Sequence, residues 1–453
     1  MANSVSLERY LVPGTHVHLV GIGGVSMRPL GLVLRGMGLT VTGSDMNASV
    51  STDELIAQGI RVSIGHRAEN IEGADCIIRT AAAHNDNPEI AAARAAGVPV
   101  FERAQAWGLI MRAYKNAVCV AGTHGKTTTT SMLTHIYMAA GRDPTVMIGG
   151  YLPLLHAGHR VGHGDTIIAE SCEYCDSFLN FFPTVAVITN IEADHLDYFK
   201  DLEAIKCSFR RFAQLVPEGG RVIANFDNKN VRETLGDLKP LRFGFDPSLD
   251  VYPERVSEDF RHFDVVCLGK PYCHIDLQVY GRHNAYNALA AAAAAYVGGV
   301  DGMAVTQGLA GFTGAGRRME FKGKFHGADV YDDYSHHPDE LRALIDTVKT
   351  LGYKRIVLAF QPHTYTRTAA LFGSFVRELR RVDLPVLAEI YAARETNLLG
   401  ISSRDLAAQV PGARYFETLP EITDFLRETA QPGDLILTVG AGDIYKAGEA
   451  LLK

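Results

Sequence analysis

The feature that most constrains this chain is a glycine-containing loop between a predicted buried strand and a predicted helix. The strand covers residues 117–121, the loop runs from Gly122 to Thr127, and the helix continues to Ala140. Such a loop lets backbone N–H groups approach phosphates, and the helix N-terminus favours anions. Lys126 would reach the β- and γ-phosphates, and the Thr127 hydroxyl would bind Mg²⁺. The pattern predicts a nucleotide site, although the loop is shorter than usual and a turn that only begins a helix is the alternative.

Strand and helix patterns alternate along most of the chain, which predicts an α/β protein with parallel sheets. At 453 residues the chain is long enough for about three domains. We place them at residues 1–112, 113–312 and 313–453. The expected architecture is a Rossmann-like N-terminal domain, a central ATPase domain of the P-loop type and a C-terminal Rossmann-like α/β domain. Residues 241–280 contain short alternating runs whose structure the sequence does not predict.

The composition excludes several classes of protein. Hydrophobic residues make up 47% and charged residues 21% of the chain, which is typical of a folded globular protein and not of a disordered one. A net charge of −7 is poorly suited to nucleic-acid binding. We find no apolar run of membrane-spanning length and no signal pattern in residues 1–10. The seven cysteines are an odd number, which favours a reducing compartment. We therefore expect a cytoplasmic protein without membrane insertion; its oligomeric state is not predictable.

A second glycine turn follows the first predicted strand. Gly21 and Gly23 nearly complete a dinucleotide-binding fingerprint, but Ser26 stands where its third glycine belongs. Asp45 lies about 20 residues further on, where an acid that binds ribose would be found. The turn is consistent with a bound diphosphate or nucleotide, with an NAD-dependent dehydrogenase, or with a tight turn that binds nothing.

Candidate metal ligands follow two predicted strands of the central part. Glu173 lies after the strand at 166–169, and His195 lies after the strand at 184–189. Parallel strands present such residues at one edge of a sheet, where carboxylates would bind Mg²⁺. Solvated charges at strand ends are the alternative. Cys172 and Cys175 form a C-x-x-C pair, for which packing beside Glu173 is favoured over a zinc or redox role.

Further polar groups lie at the start of a helix and after strands of the third part. Asn284 and Asn287 are three residues apart and share a helix face, so they would bind an adenine edge or cap the helix. Arg318, Asp333 and the segment 361–368 add charged groups near successive strand ends. Arginine is suited to the oxygens of a transferring phosphoryl group. These clusters predict a site in the third part.

Taken together, these motifs resemble the ATP-dependent Mur ligases of peptidoglycan synthesis. The resemblance rests on residues 122–130, 190–195 and 281–287 together with Arg318 and Asp333, and it covers nearly the whole chain. It implies that the three domains bind a UDP-sugar, ATP and an amino acid, in that order. Residues 18–27, the double histidine after Asp333 and residues 361–368 resemble the members that use UDP-N-acetylmuramate and L-alanine. A carboxylate would attack the γ-phosphate of ATP, and the amine would displace phosphate from the acyl phosphate.

The resemblance also implies roles for individual residues. The implied catalytic residues are Lys126, His195, Arg318 and Asp333. The implied ATP site comprises Gly122, Thr123, His124, Gly125, Lys126, Thr127, Thr128, Asn284, Asn287, Arg318 and Asp333. The implied site for the UDP-substrate comprises Gly21, Gly23, Gly24, Val25, Ser26, Asp45 and Thr80. The amino acid would meet Tyr334, His336 and Arg367. The metal ligands would be Thr127, Glu173 and His195, holding two Mg²⁺ ions that Mn²⁺ can replace.

One departure from the family pattern concerns the second metal ion. Several related ligases carry a carbamylated lysine downstream of the metal-binding histidine. The comparable region here contains Phe209 and Arg210, and the nearest lysine is Lys206. A ligase of cell-wall recycling, which attaches a tripeptide to the same sugar nucleotide, is the nearest alternative function.

Overall fold

The computed structural model describes residues 6–80, 82–196, 198–393 and 395–453. Successive parts of the chain form sheets of five, ten and six strands. The predicted α/β architecture is therefore confirmed, while the domain boundaries after residues 112 and 312 stay predictions. Within the described ranges, no helix is both long enough and apolar enough to cross a membrane.

The first sheet is parallel throughout, in the order β3-β2-β1-β4-β5. Its helices cover a core that includes Leu19, Ile22 and Trp107. The residue pattern after the first glycine turn predicts a helix over residues 25–34, and the observed helix α1 begins two residues later. The elements are β1 His16–Val20, α1 Met27–Gly36, β2 Thr40–Asp45, α2 Val50–Ala57, β3 Arg61–Ile64, β4 Cys76–Arg79, α3 Pro88–Ala95, β5 Val100–Glu102 and α4 Arg103–Met111.

The central sheet has the order β15-β14-β13-β12-β11-β10-β6-β9-β7-β8. Residues 241–280, which the sequence left unassigned, form strands β12–β15, and the last two pairings of this run are antiparallel. The elements are β6 Asn116–Ala121, α5 Lys126–Ala139, β7 Thr145–Leu152, β8 Ala157–Arg160, β9 Thr166–Glu170, β10 Val185–Ile188, α6 Leu202–Ala213, β11 Arg221–Asn225, α7 Lys229–Leu235, β12 Leu241–Phe243, β13 Val251–Glu254, β14 His262–Cys267, β15 Lys270–Asp276, α8 Arg282–Val297 and α9 Gly302–Ala310. Short 3₁₀ helices are Leu7–Tyr10, Ala68–Ile71, Pro153–Leu155, Tyr174–Asn180 and Gly236–Leu238.

The third sheet has the order β16-β17-β21-β18-β19-β20, and only the β16–β17 pairing is antiparallel among its described strands. The hydrophobic pattern of the sequence predicts strands over 355–360 and 434–439 and a helix over 419–429, and the structure has these elements with the same bounds. The elements are β16 Glu320–Phe325, β17 Ala328–Asp333, α10 Pro338–Lys349, β18 Arg355–Phe360, α11 Tyr365–Ala370, α12 Phe372–Leu379, β19 Leu384–Ala388, α13 Ser403–Gln409, β20 Arg414–Phe416, α14 Leu419–Thr429, β21 Asp434–Val439 and α15 Tyr445–Leu451.

The topology brings the polar loops of the central part together. Strand β6 lies between β9 and β10 and is parallel to both. The carboxyl ends of the three strands therefore share one edge of the sheet, which is where ligands bind in open parallel sheets. The loop at 122–125, Glu170 at the end of β9 and the segment after β10 all begin at this edge.

Candidate active site

At each end of the loop from Gly122 to Gly125, the structure leaves room for glycine but not for a larger residue. Gly122 has a φ of +146°, and a Cβ atom there would lie 2.0 Å from Thr189 Oγ1. Gly125 has a φ of +83°, and a Cβ atom there would lie 2.4 Å from Asn287 Oδ1. The side chain of Asn190 holds the middle of the loop, because the Oδ1 atom of Asn190 accepts a hydrogen bond from the His124 N–H at 2.8 Å. The loop is thus fixed in a shape that leaves the start of α5 accessible.

Lys126 is the central cation of this site. Its Nζ lies 3.0 Å from Glu173 Oε2 and donates to the Thr123 carbonyl at 3.1 Å. Burial opposes its protonation, but the surrounding negative groups, chiefly Glu173, together outweigh burial and hold the pKa of Lys126 above its ordinary value. Because Glu173 is only 2% exposed, the two charges neutralise each other away from water.

Glu170 is a site residue to which the sequence assigned no role. Its Oε2 accepts from the Thr127 hydroxyl at 2.9 Å and from the Gly149 N–H at 2.8 Å. Thr127 therefore bonds to Glu170, whereas Glu173 pairs with Lys126. Its position as the last residue of β9, at the ligand-binding edge, was the signal that could have identified Glu170.

His195 lies near Glu173 and Asp194, in a left-handed backbone conformation with a φ of +52°. Its ring packs on Tyr174 at 4.8 Å between centroids, and its Nε2 is 3.8 Å from Asp194 Oδ2. Burial lowers the pKa of His195, although Asp194 and Glu173 oppose this. A neutral imidazole is the form that binds a metal ion.

Arg367 comes from the third part and pairs with Asp194 of the central part. Its Nη2 and Nε lie 2.9 and 3.1 Å from Asp194 Oδ1. Burial would raise the pKa of Asp194, but Arg367 and three nearby histidines together outweigh burial and hold that pKa well below its ordinary range. The arginine expected at an amino-acid carboxylate is thus bound to a protein carboxylate in this structure.

The other residues expected around the amino acid are close to Arg367. His336 Nδ1 lies 3.0 Å from the Tyr334 carbonyl oxygen, and the two rings form an edge contact. The His336 ring also lies 5.8 Å from that of His363, whose Nδ1 is 3.2 Å from Arg367 Nη1. Burial lowers the pKa of His336 to about 4, so it is neutral at pH 7.

A cavity of about 830 Å³ joins the central and third parts. This volume is within the range of small-molecule sites. Its lining contains the sequence-predicted residues His124, Gly125, Thr127, Thr128, Asn284, Asn287, Arg318 and Asp333. The two asparagines do not cap α8, because Gly281 is its N-cap residue and no side-chain cap bond is formed there. The capping alternative is therefore wrong.

The wall from the third part is organised by two buried carboxylates. Asp333 accepts from the backbone N–H groups of Met319 and Ser335, each at 2.8 Å. Glu340, which sequence reasoning missed, lies 3.1 Å from His124 Nδ1 and 3.9 Å from Arg318 Nη1. Burial would raise the pKa of Glu340, but the neighbouring histidines hold it well below its ordinary value. Glu340 lies three residues after His337, which is the spacing of a capping box, so the sequence could predict a role for it at the start of a helix but not in the site.

The first glycine turn brings its predicted residues together at the end of β1. The Gly23 N–H donates to Asp45 Oδ2 at 2.9 Å. A Cβ atom on Gly21 would lie 2.7 Å from Thr80 Cγ2, so this turn also requires glycine. Ser26 is hydrogen-bonded to Arg103. Gly24 and Val25 are exposed. The turn thus presents backbone and an ordered carboxylate to solvent.

The remaining sequence features have structural explanations. Cys172 and Cys175 are not joined by a disulfide, and Cys175 is exposed, so the expected packing beside Glu173 does not hold for Cys175. Phe209 is buried against Phe178. Lys206 forms ion pairs with Glu203 and Glu233 on the surface of α6 and α7.

Comparison with known proteins agrees with this arrangement. Three family descriptions match the chain: "Mur ligase family, catalytic domain" over residues 16–115, "Mur ligase middle domain" over 120–295, and "Mur ligase, glutamate ligase domain" over 317–442. A UDP-N-acetylmuramate–L-alanine ligase of Agathobacter rectalis is 45% identical, and the match covers 97% of this chain and 98% of the relative.

Solved structures give the same result. The UDP-N-acetylmuramate–alanine ligase of Thermotoga maritima is 30% identical with a TM-score of 0.81, covering 96% of this chain and 98% of that one. A murein peptide ligase of Psychrobacter arcticus is 25% identical with a TM-score of 0.74, covering 97% and 98%. From its sequence matches, its three sheets and its site, this chain belongs to the Mur ligase family.

Proposed function

We infer that this protein is an ATP-dependent ligase that joins L-alanine to the lactyl carboxylate of UDP-N-acetylmuramate in peptidoglycan precursor synthesis. The observation that carries the inference is the near-full-length similarity to ligases of that name at 45% identity and below. Among the solved structures, the alanine ligase has a TM-score of 0.81 at 30% identity, whereas two murein peptide ligases have TM-scores of 0.74 and 0.61 at 25% and 28% identity. A dehydrogenase reading would explain the turn at Gly21 but not Lys126 and its paired carboxylates.

ATP would enter the cavity between the central and third parts. The N–H groups at the start of α5 would bind phosphate oxygens. Lys126 would separate from Glu173 and pair with the β- and γ-phosphates instead. Asn284 and Asn287 would contact adenine. Arg318 would approach the nucleotide from the opposite wall, and Asp333 would keep the Arg318 loop in place through the Met319 N–H.

The residues around Lys126 fit a divalent cation. The hydroxyl of Thr127, the carboxylates of Glu170 and Glu173 and the imidazole of His195 form a set dominated by hard oxygen donors, which Mg²⁺ prefers. We propose Thr127 with Glu173, or Glu170 in its place, for one ion and His195 for a second, with Mn²⁺ able to replace either. The ions would offset the repulsion between carboxylate and triphosphate.

The reaction would proceed in two steps. The lactyl carboxylate oxygen forms a bond to the γ-phosphorus as the bond to ADP breaks. The alanine amine then attacks the acyl carbon of this acyl phosphate, loses a proton, and inorganic phosphate leaves as the amide forms. The turn at Gly21 with Asp45 and Thr80 would hold the UDP part. Tyr334 and His336 would surround alanine, and Arg367 would exchange Asp194 for the alanine carboxylate.

Phosphate release tests the proposal. The purified chain is incubated with ATP, Mg²⁺ and UDP-N-acetylmuramate, and then with L-alanine, L-serine, glycine or the recycling tripeptide. We expect release that depends on UDP-N-acetylmuramate and is fastest with L-alanine. Release with the tripeptide alone would support the recycling function instead, and NAD reduction without ATP consumption would remove the ligase assignment.

A further inference from the structure

Glu340, near the start of α10, uses its two carboxylate oxygens for different purposes. Its Oε2 accepts hydrogen bonds from the backbone N–H groups of His336 at 2.9 Å and of His337 at 3.2 Å. His337 is the N-cap residue of α10, so the second of these bonds belongs to a capping box. The capping box engages only Oε2. The position of Oε1 therefore has no explanation in the start of the helix.

Oε1 of Glu340 lies between two basic side chains, one from each of two parts of the chain. It is 3.1 Å from Nδ1 of His124 in the central part and 3.9 Å from Nη1 of Arg318 in the third part. The Glu340 side chain is only 11% exposed, so water and salt screen these contacts less than those of a surface ion pair. All three residues line the cavity proposed for ATP.

The His124 ring depends on Glu340 for its orientation. Because an ionised carboxylate only accepts hydrogen bonds, Nδ1 carries a proton that it donates to Oε1. The other ring nitrogen, Nε2, is buried and has no hydrogen-bond partner within the described residues. The ring also packs on that of His337, with 5.0 Å between the centroids. Among the described residues, Glu340 is thus the one hydrogen-bond partner of the His124 ring.

The charges around His124 favour its protonated form. Burial lowers the pKa of His124, but Glu340, together with Asp194, outweighs burial and holds this pKa above its ordinary value of 6.5. The other groups that face His124 come from α5, from α10 and from the segment after β10, and they are Lys126, His337, Asp339 and Glu192. Lys126 opposes the protonation of His124, and Glu340 contributes most in its favour.

Arg318 has a similar dependence on this carboxylate. Within the part of the chain that the structure describes, Glu340 is the one ion-pair partner of Arg318. The guanidinium carbon also lies 5.1 Å from the centre of the Tyr334 ring. An arginine stabilises a transferring phosphoryl group only when its guanidinium is correctly directed. The direction of Arg318 is therefore set by Glu340 on one side and by an aromatic ring on the other.

We propose that Glu340 is a positioning residue of the ligase reaction, whose Oε1 holds Arg318 and the His124 imidazolium in the geometry that ATP requires. This role rests on the ATP site proposed above. Since Glu340 and Arg318 belong to the third part and His124 to the central part, the three side chains are aligned only while the two parts are in contact. Contact between the parts would thus complete the site.

Two variants separate positioning from helix capping. Glu340→Gln keeps an oxygen for the capping box but removes the charge. Glu340→Asp keeps the charge but withdraws it from both basic groups, and Asp405 shows that aspartate serves in the capping box of α13. We expect both variants to melt as wild type does and to lower kcat for phosphate release about tenfold or more, with a smaller change in KM for ATP, because the carboxylate acts on the geometry of the reaction.

Glu421→Gln is the matched control for capping. Glu421 has the same position in the capping box of α14 as Glu340 has in α10, but it is exposed and does not line the cavity. We expect this variant to keep the kcat of wild type. An equal loss of kcat in Glu421→Gln and Glu340→Gln would overturn the proposal.

A second measurement follows the His124 ring in the whole chain by NMR of labelled histidine, without substrates. The signal of His124 is identified by its loss in His124→Gln. We expect the pKa of His124 to be lower in Glu340→Gln than in wild type by about one unit or more, and unchanged in Glu421→Gln. A role in capping alone would not move this titration.

Wild-type kcat in either Glu340 variant, or an unchanged His124 titration in Glu340→Gln, would overturn the positioning role and leave the ligase function intact. Absence of phosphate release by wild type with every amino acid would instead overturn the proposed function, and this role with it.

Discussion

Lys126 carries its charge inside the protein because negative groups surround it, chiefly Glu173, with 3.0 Å between Nζ and Oε2. A triphosphate that enters the site must therefore compete with a protein carboxylate for this cation. Such competition keeps the site electrically balanced and makes the lysine available when phosphate and divalent cations arrive together. The same pairing explains why Glu173 is tolerated at 2% exposure.

Replacing this lysine should abolish catalysis without unfolding the chain. We expect Lys126→Ala to lower the rate of phosphate release by about 10²–10³-fold or more, since it removes a cation that stabilises transferring phosphoryl oxygens. The control is Lys206→Ala, because Lys206 is also paired with two glutamates but lies on α6. Full activity in Lys126→Ala, with normal melting, would contradict the role of the loop. Loss of activity in Lys206→Ala would instead point to a lysine-dependent metal site.

Glu89 is a second buried carboxylate, in the first part, and its effect belongs to stability. It is fully buried beside His18, Ser44 and Asn70. Burial would raise its pKa, but the interactions with these three residues outweigh burial and lower the pKa from 4.5 to about 2. Because the pKa of Glu89 is lower in the folded state than in the unfolded chain, its ionised carboxylate stabilises the folded protein at pH values above 4.5. This stabilisation is lost as the pH falls from 4.5 towards 2.

This pH dependence can be measured with the single tryptophan, Trp107, which is buried in the same part of the chain. At roughly 1.4 kcal/mol per pH unit, we expect Glu89→Gln to lower the free energy of unfolding by about 3 kcal/mol at pH 7. Urea unfolding followed by Trp107 fluorescence should show the two proteins converging between pH 4.5 and 2. Parallel curves for wild type and variant across that interval would show that Glu89 does not titrate as proposed.

The loop before α5 depends on glycine for two separate reasons, a left-handed backbone and a close neighbour. Ala at position 125 would adopt a φ of +83° at a cost of about 1–2 kcal/mol and would displace Asn287 from the cavity wall. A displacement of about 1 Å can reduce activity about 10²-fold, so we expect a loss of this order in kcat/KM for ATP for Gly125→Ala. Gly141→Ala is the matched control, because Gly141 also has a positive φ but nothing within 4 Å of the added Cβ. Equal activities in the two variants would mean that Asn287 need not be held there.

Local patterns predicted most strands and helices, since alternation and capping are encoded within a few residues. Strands 355–360 and 434–439 are examples, because they are short apolar runs bounded by polar residues. Residues 241–280 were not predicted, because β12 and β13 have only three and four residues and β15 is largely exposed or half-buried, so their hydrophobic pattern is weak. A different reason limited the site: the sequence indicated Lys126 and Glu173 as chemical groups, but not that they pair with each other.

Contacts between residues more than 140 positions apart lay beyond any local pattern. Arg367 with Asp194, and His337 with Ala193, connect the third part to the central part. These contacts are polar, and a polar boundary between parts of a chain is typical of surfaces that separate and rejoin. We therefore expect the third part, which supplies residues to the cavity wall, to be able to separate from the central part.

We expect the chain to become more compact when both nucleotide substrates bind, because the residues of the cavity come from separate parts. Small-angle scattering of the whole chain, with and without ATP and UDP-N-acetylmuramate, measures this through the radius of gyration. The same comparison with UDP-N-acetylmuramate alone is the control, since it leaves the cavity without a nucleotide. Identical curves in all three states would exclude closure as a step in binding.

The ion pair between Arg367 and Asp194 should determine how far the unliganded chain opens. Both side chains are about one-tenth exposed, so removing the carboxylate leaves a buried guanidinium without its partner, which costs about 3–5 kcal/mol. That free energy is relieved if the third part separates and Arg367 reaches water. We therefore expect Asp194→Ala to have a larger radius of gyration than wild type before substrates are added. Asp237→Ala, which breaks the exposed pair with Arg210, should not differ from wild type. An unchanged radius for Asp194→Ala would show that other contacts hold the two parts together.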